Sequence, residues 1–331
     1  MTNSLIGVLL RFRQDKVALT ADIEKMFYQV RVPPEHSDFM RFFWYGAAGE
    51  LSEFRLKVHV FGARSSPSVA NFALRLTARD GKSRSEKSKT IVDRNFYVDD
   101  LLVSYPDESE AVASLLDLRS LLAQGSFNLT SFAGTSKVVL SALPEDSLSN
   151  ALNADSLASQ ALPESMALCV TWNTDNDSLG YRVVAVKFPA TRRGVLRTIA
   201  SIYDPLELAG PVVVPAKAIF QETCRLKLNW DDELPPALLS AWNAWQTDIR
   251  ALSDWLVPRC LHLSSDGRRA QLHVFCDGSE TAYGAVAYAR VETSSSIIVS
   301  SPIMAKSRLT PLNNSALKQF LELSFVPLNL V

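Results

Sequence analysis

Cysteine and histidine are scarce in this 331-residue chain, four of each. Cys169, Cys224, Cys260 and Cys276 lie far apart with no C-x-x-C pair, and no histidine is spaced to complete a zinc site. That pattern excludes the common structural zinc sites. The expectation for the thiols is unbridged, mostly buried side chains in a reducing compartment. No apolar run approaches the length of a membrane span. The first ten residues lack the cationic lead, long apolar core and small-residue cleavage site of a secretory signal. Charge of one sign is missing as well, because 34 Lys and Arg nearly cancel 35 Asp and Glu. No global positive field therefore advertises a nucleic-acid partner, although a cleft can concentrate cations locally.

What is present is globular. Hydrophobic residues make up 47% and charged residues 21%, at a length suited to two or three domains. Val17 to Thr20 reads as a buried strand that delivers Asp22 at its tip. Ser66-Pro67 reads as a helix start, with Ser66 as N-cap, and the helix runs to about Arg79. Asp80 to Lys89 reads as a solvated basic loop. Asn95 to Tyr105 carries apolar runs on both sides of Asp99-Asp100, which predicts a hairpin with the acids at its turn. Asp107 and Glu110 form a capping box for a helix that Gly125 stops, with Val112, Leu115, Leu116 and Leu122 on one face.

Ser141 to Pro163, rich in Ser, Ala, Asn and Asp, reads as a linker or a loosely packed helix, with a domain boundary there. Beyond it a helix is expected from Pro215 to about Leu228. Leu238, Trp242, Trp245, Ile249, Leu252 and Leu256 fall on one helical stripe, better suited to core packing than to gripping bases. Leu272 to Asp277 and Ala285 to Val291 read as two strands joined through Gly284.

Three acids carry the chemical interest. Asp22 ends one strand and Asp99-Asp100 tip a hairpin, so two distant segments can bring carboxylates together. Like charges at that range repel, and divalent cations remove the penalty. Each motif alone reads equally well as a helix cap or a plain turn. Their surroundings separate the readings. Leu19-Thr20-Ala21-Asp22-Ile23-Glu24-Lys25-Met26-Phe27 resembles motif A of reverse transcriptases. Phe61-Gly62-Ala63-Arg64-Ser65-Ser66-Pro67 resembles motif B, and Phe96-Tyr97-Val98-Asp99-Asp100 resembles motif C. The wording of motifs A and B, with Ile202-Tyr203-Asp204-Pro205-Leu206 downstream, is similar to the BEL/Pao class of long-terminal-repeat retrotransposons.

The resemblance implies an α+β and α/β architecture. Residues 1–140 would form a right-hand polymerase palm with partial fingers, 141–264 a helical thumb and connection, and 265–331 the first part of a ribonuclease H-like domain. It implies an RNA-directed DNA polymerase using two Mg²⁺ ions, or Mn²⁺, held by Asp22, Asp99 and Asp100. Phe27 matches the steric gate against ribose, or is a core aromatic. Gly62, Ser66 and Pro67 would shape the nucleotide pocket. Phe61 stands where many retroviral enzymes carry Gln, and Ser131 stands where a motif D lysine is usual. Asp277 matches the first ribonuclease H acid, and Glu322 occupies the place of the second.

The implied partners are an RNA or DNA template-primer duplex, deoxynucleoside triphosphates and other polyprotein segments, with no membrane. The implied location is a cytoplasmic retroelement particle, or the nucleus. A chain short of most of the fingers and of the later ribonuclease H acids is the expectation, and so are two alternatives: an inactive fragment that binds nucleic acid, and hydrolysis of RNA–DNA hybrids. No aspartic-protease triplet, zinc knuckle or integrase signature is found. Arg11, Arg13 and Lys16 read as a solvated basic turn more readily than as phosphate contacts, as do Lys82, Arg84, Lys87 and Lys89. Arg192, Arg193 and Arg197 are the better candidates for gripping a duplex backbone.

Overall fold

The structure is a computed structural model that describes residues 2–83, 85–149, 164–168, 170–183, 188–263, 269–292 and 298–311. It is a mixed α+β architecture of small antiparallel sheets and helices in two compact units. The first unit comprises Met1–Phe12 with Lys16–Leu162, and the second Arg13–Asp15 with Pro163–Val331. Most of the Ser141–Pro163 segment expected as a linker lies outside the described residues, as does Glu322.

The first unit opens with α1 (Leu5–Phe12) and β1 (Val17–Ile23), which is buried along nearly its whole length. A single turn, α2 (Pro34–Ser37), precedes an exposed hairpin of β2 (Arg41–Tyr45) and β3 (Leu51–Arg55). Then come α3 (Ser66–Asp80), α4 (Glu86–Arg94), β4 (Phe96–Tyr97) and β5 (Asp100–Tyr105). The unit continues with α5 (Glu108–Ala123), β6 (Leu129–Gly134) and a short α6 (Lys137–Ser141). The central sheet has the order β4-β5-β1-β6, so β1 is flanked by β5 and β6 and buries Leu19, Ala21 and Ile23 among the core residues.

Several expectations change here. Ser66 is inside the first turn of α3 and Ser65 is its N-cap, because the Ser66 hydroxyl is drawn to His59 instead of capping. The basic loop is shorter than expected: Ser85 accepts from the Lys87 N–H and starts α4 at Glu86. The capping box holds, with Asp107 Oδ1 accepting from the Glu110 N–H at 2.9 Å. Leu116 faces solvent, while Leu115, Leu118, Leu121 and Leu122 are buried.

In the second unit, β7 (Glu164–Ala167), β8 (Val170–Asn173), β9 (Ser178–Gly180) and β10 (Val257–Pro258) form one sheet. Thr191 caps α7 (Arg192–Ala200), and α8 spans Gly210–Arg225, five residues earlier than expected and with Pro215 inside it. Asp204 explains the early start. Its carboxylate accepts from the N–H groups of Leu208 and Ala209 and from the Tyr181 hydroxyl, tying down the turn that leads into α8. The tryptophan stripe is core, as preferred. Trp242 and Trp245 on α9 (Pro236–Asp248) stack at 4.9 Å, and Trp245 Nε1 donates to the Val212 carbonyl. Leu256, at the end of that stripe, is exposed.

The last sheet pairs β11 (Arg269–Gly278), β12 (Ala282–Glu292) and β13 (Ile298–Leu309) in that order. Its first hairpin turns at Ser279–Thr281, where the Ser279 N–H and hydroxyl both reach the Ala282 carbonyl. Gly284 therefore lies within β12, opposite Asp277, and not at the turn.

Candidate carboxylate site

Antiparallel pairing of β1 with β5 sets Asp22 directly opposite Asp100. Residues so paired have Cα atoms about 4.5–5.5 Å apart and side chains on one face. Asp99 occupies the turn between β4 and β5, and its carbonyl accepts from the Ile23 N–H at 3.1 Å, which ties the turn to the end of β1. Val98 in the same turn has φ of +61°. A β-branched residue in the left-handed region is strained, and the surrounding sheet must hold it there. The tight turn brings a third carboxylate, that of Asp99, beside the Asp22–Asp100 pair.

Electrostatics reflect the crowding. Burial, then the neighbouring Asp99 carboxylate, pushes Asp22 up to about 6. Asp100 is pushed to about 6 by burial first, then by Asp99 and Asp22. Asp99 is raised as well, by burial. The three acids are thus half-buried, and Asp22 and Asp100 also feel neighbouring carboxylate charge, an arrangement that costs stability unless a cation answers it.

The chemistry of the donor set fits a hard divalent cation, since all donors are carboxylate oxygens on rigid strands or their turn. Among the described residues, however, no three acidic, histidine or cysteine side chains are grouped closely enough to hold an ion as they stand. Binding would therefore require the carboxylates to rotate toward one another.

Phe27 lies in a short 3-10 turn just after β1, buried in the core, with its ring edge-to-face on Phe61 at 4.7 Å. Phe61 is itself exposed. Gly62 follows with φ of +87°, a conformation that a side chain would resist, and a Cβ there would meet open space. Ser66 is buried, 3.2 Å from Nδ1 of the buried His59, and Pro67 sits in the first turn of α3 with its carbonyl accepting from Asn71. The His59–Ser66 pair fastens the Phe61–Gly62 loop to the helix, and nothing in sequence spacing singled it out. Ser131 is exposed, with φ of +57°, and it lies next to Thr130, the residue of β6 that faces Asp22.

Asp277 belongs to the second unit. It is exposed on β11, with Oδ1 accepting from the Gly278 N–H, and it lines a cavity of about 430 Å³ with Phe275, Pro211 and Lys306. Cys276 beside it is exposed, against the expectation of mostly buried thiols, whereas Cys260 is buried.

The basic residues differ most from expectation. Arg13 is fully buried and donates to the carbonyls of Pro258, Arg259, Pro302 and Ile303, so it is a structural hub of the second unit and not a solvated turn. Arg11 donates to the Arg94 carbonyl. Lys87 pairs with Glu110 and Lys89 with Glu86. Arg193 holds Asp231 through two nitrogens, and Arg192 stacks on Trp230 at 4.4 Å, so both are already engaged within the second unit.

A solved structure of low sequence identity shares this fold. The foamy viral protease–reverse transcriptase, solved in complex with an RNA/DNA hybrid, superposes with a TM-score of 0.56 at 12% identity. The match covers 94% of this chain and 36% of that protein, so the chain spans little more than a third of its length. Residues 191–324 match the family described as Pao retrotransposon-like RNaseH-like domain. The structural likeness establishes the fold, and the family match supports a retroelement polyprotein as the chain's setting. No curated protein sequence matches the chain.

Proposed function

We propose that this chain is the RNA-directed DNA polymerase segment of a BEL/Pao-type retroelement, with residues of the first unit serving as palm. The observation that carries the reading is the strand register that opposes Asp22 to Asp100 and holds Asp99 in the adjoining strained turn. In this reading Asp22, Asp99 and Asp100 hold Mg²⁺, or Mn²⁺. Bound there, the ions would activate a primer 3′-hydroxyl and neutralise the departing pyrophosphate. The chain's own part is positioning. Phe27, backed by Phe61, presents a flat wall to the sugar of an incoming deoxynucleoside triphosphate. Gly62 lets the backbone approach closely, and His59 with Ser66 keeps that loop against α3.

Primer extension tests the reading. The purified chain, given a primed RNA or DNA template, deoxynucleoside triphosphates and Mg²⁺ or Mn²⁺, is expected to extend the primer. Asp99→Asn should lower extension by at least about 100-fold. Undiminished extension by that variant would count against the site. Salt-sensitive binding of a hybrid duplex by the wild-type chain with no extension would instead select the inactive, duplex-binding alternative.

The match of residues 191–324 to a ribonuclease H-like family favours a second reading, hydrolysis of the RNA strand of a hybrid with Asp277 as one acid. Hybrid cleavage that disappears in Asp277→Asn and persists in Asp99→Asn would select it.

A further inference from the structure

The β2–β3 hairpin carries Phe42, Phe43, Trp44 and Tyr45 in succession, and all five residues of β2 are exposed. Phe43, Trp44 and Tyr45 are bare to 68%, 64% and 68%, and Phe39 just before them to 88%. Among the described residues each strand of this sheet pairs only with the other, so each has an outer edge. A two-stranded hairpin is marginal alone, and a bare aromatic edge is a template for another strand. We infer that the outer edge of β2 is a homodimer interface, pairing antiparallel with β2 of a second copy of this chain.

Three observations select that occupant. First, the hairpin's arginines are already matched: Arg41 pairs with Glu53 at 3.2 Å and Arg55 with Asp38 at 2.7 Å. They are poorly disposed to grip phosphates, and an apolar protein surface is the better complement.

Second, the order Arg41-Phe42-Phe43-Trp44-Tyr45 is self-complementary. A two-fold axis at Phe43 sets that ring against its own counterpart, Phe42 against the second copy's Trp44, and Arg41 against the second copy's Tyr45. Aromatic cross-strand pairs and an arginine over a tyrosine ring are all favourable. The same operation on the edge of β3 would oppose two copies of Glu53, a like-charge clash. The outer edges are therefore not equivalent, and only β2 suits a twin.

Third, the area suffices. Four aromatic side chains of about 150–250 Å² each, three of them about two-thirds bare and Phe42 bare to 40%, offer roughly 400–600 Å² per copy. Phe39 and the strand backbone bring this toward the roughly 800 Å² per partner of a standard interface.

Light scattering after size exclusion, on the full chain from about 1 to 100 µM, is expected to show mass rising from 36.5 kDa toward twice that value. Phe43→Glu should weaken self-association at least tenfold, and Glu53→Lys should leave it in place. Because Phe43 is exposed, the circular dichroism of Phe43→Glu should match wild type. As a test that needs no loss of function, Phe43→Cys should crosslink between copies under mild oxidation beyond the wild-type background, and Glu53→Cys should not. The inference is overturned by a wild-type monomer at about 100 µM, by a dimer indifferent to Phe43→Glu, or by association that needs added oligothymidylate. That last result would assign the aromatics to single-stranded nucleic acid. None of these outcomes depends on primer extension, so the interface and the polymerase reading stand or fall separately.

Discussion

Removing one carboxylate from the β1–β5 site should make the metal-free protein more stable while ending its proposed chemistry, and Asp100→Asn is the cleanest such change. Asp100 is pushed from 3.8 up to about 6, by burial first and then by Asp99 and Asp22. A rise of that size, at about 1.36 kcal/mol per tenfold change in proton affinity, sets a ceiling near 3 kcal/mol. The group is only partly withdrawn from water, so screening reduces this to roughly 1–2 kcal/mol. The folded state holds the proton more tightly than the unfolded chain does, so folding takes up a proton between about pH 4 and 6. The associated stability is complete below the unfolded pKa and is lost as pH rises through about 6.

At pH 8 the wild-type protein therefore carries the whole penalty, whereas the amide carries none at any pH. Differential scanning calorimetry at pH 8 with chelator should show Asp100→Asn melting about 3–6 °C above wild type. The gap should shrink as the buffer is taken toward pH 5. Saturating Mg²⁺ should raise the wild-type melting temperature more than the variant's, because the variant has lost part of the donor set. A variant no more stable than wild type at pH 8, or a gain that does not change with pH, would refute the carboxylate-crowding argument.

Other outcomes follow from particular contacts. Arg13→Leu strips donors from four carbonyls, one buried and three part-buried, and should destabilise the second unit by about 2–4 kcal/mol in urea titration, whereas a solvated arginine would cost almost nothing. Leu115→Ala should cost about 2–5 kcal/mol and Leu116→Ala less than about 0.5, since only the first is buried. Phe27→Val should raise ribonucleotide incorporation at least about tenfold in primer extension if its ring meets the sugar, and should leave the selectivity unchanged if the ring is core alone.

Much of the first unit was legible because its signals are local. Val17 to Thr20 and the run around Asp99-Asp100 are short, apolar and bounded by acids or proline, and the Asp107 cap needs only its own helix. The hairpin of β2 and β3 is equally local in origin, an aromatic strand before Gly46 and Gly49, but no acid at a strand tip marks it. Helix ends were less legible. The helix expected from Pro215 begins at Gly210, after a turn that the Asp204 carboxylate ties down through N–H groups four and five residues on. Leu116 shows the limit of periodicity, since a helical face computed from spacing does not say how wide the covering surface is.

The acids and the arginines differ in how legible their placement is for one reason. A carboxylate at a strand tip or in a hairpin turn is positioned by its neighbours in sequence, and its repulsion by a second such group follows once the strands pair. Asp22 and Asp100 needed only one register to meet. Arg13 is different in kind, because three of its acceptors lie in the chain between Pro258 and Pro302 and the fourth is Ile303, more than 240 residues from the guanidinium. No spacing rule reaches that far, and an isolated arginine near the start of a chain looks the same whether it is solvated or buried. A guanidinium with five fixed donors is nonetheless the side chain best able to satisfy a group of converging carbonyls in the interior. Positive charge in this chain is therefore informative only after folding, while negative charge clustered at strand ends is informative before it.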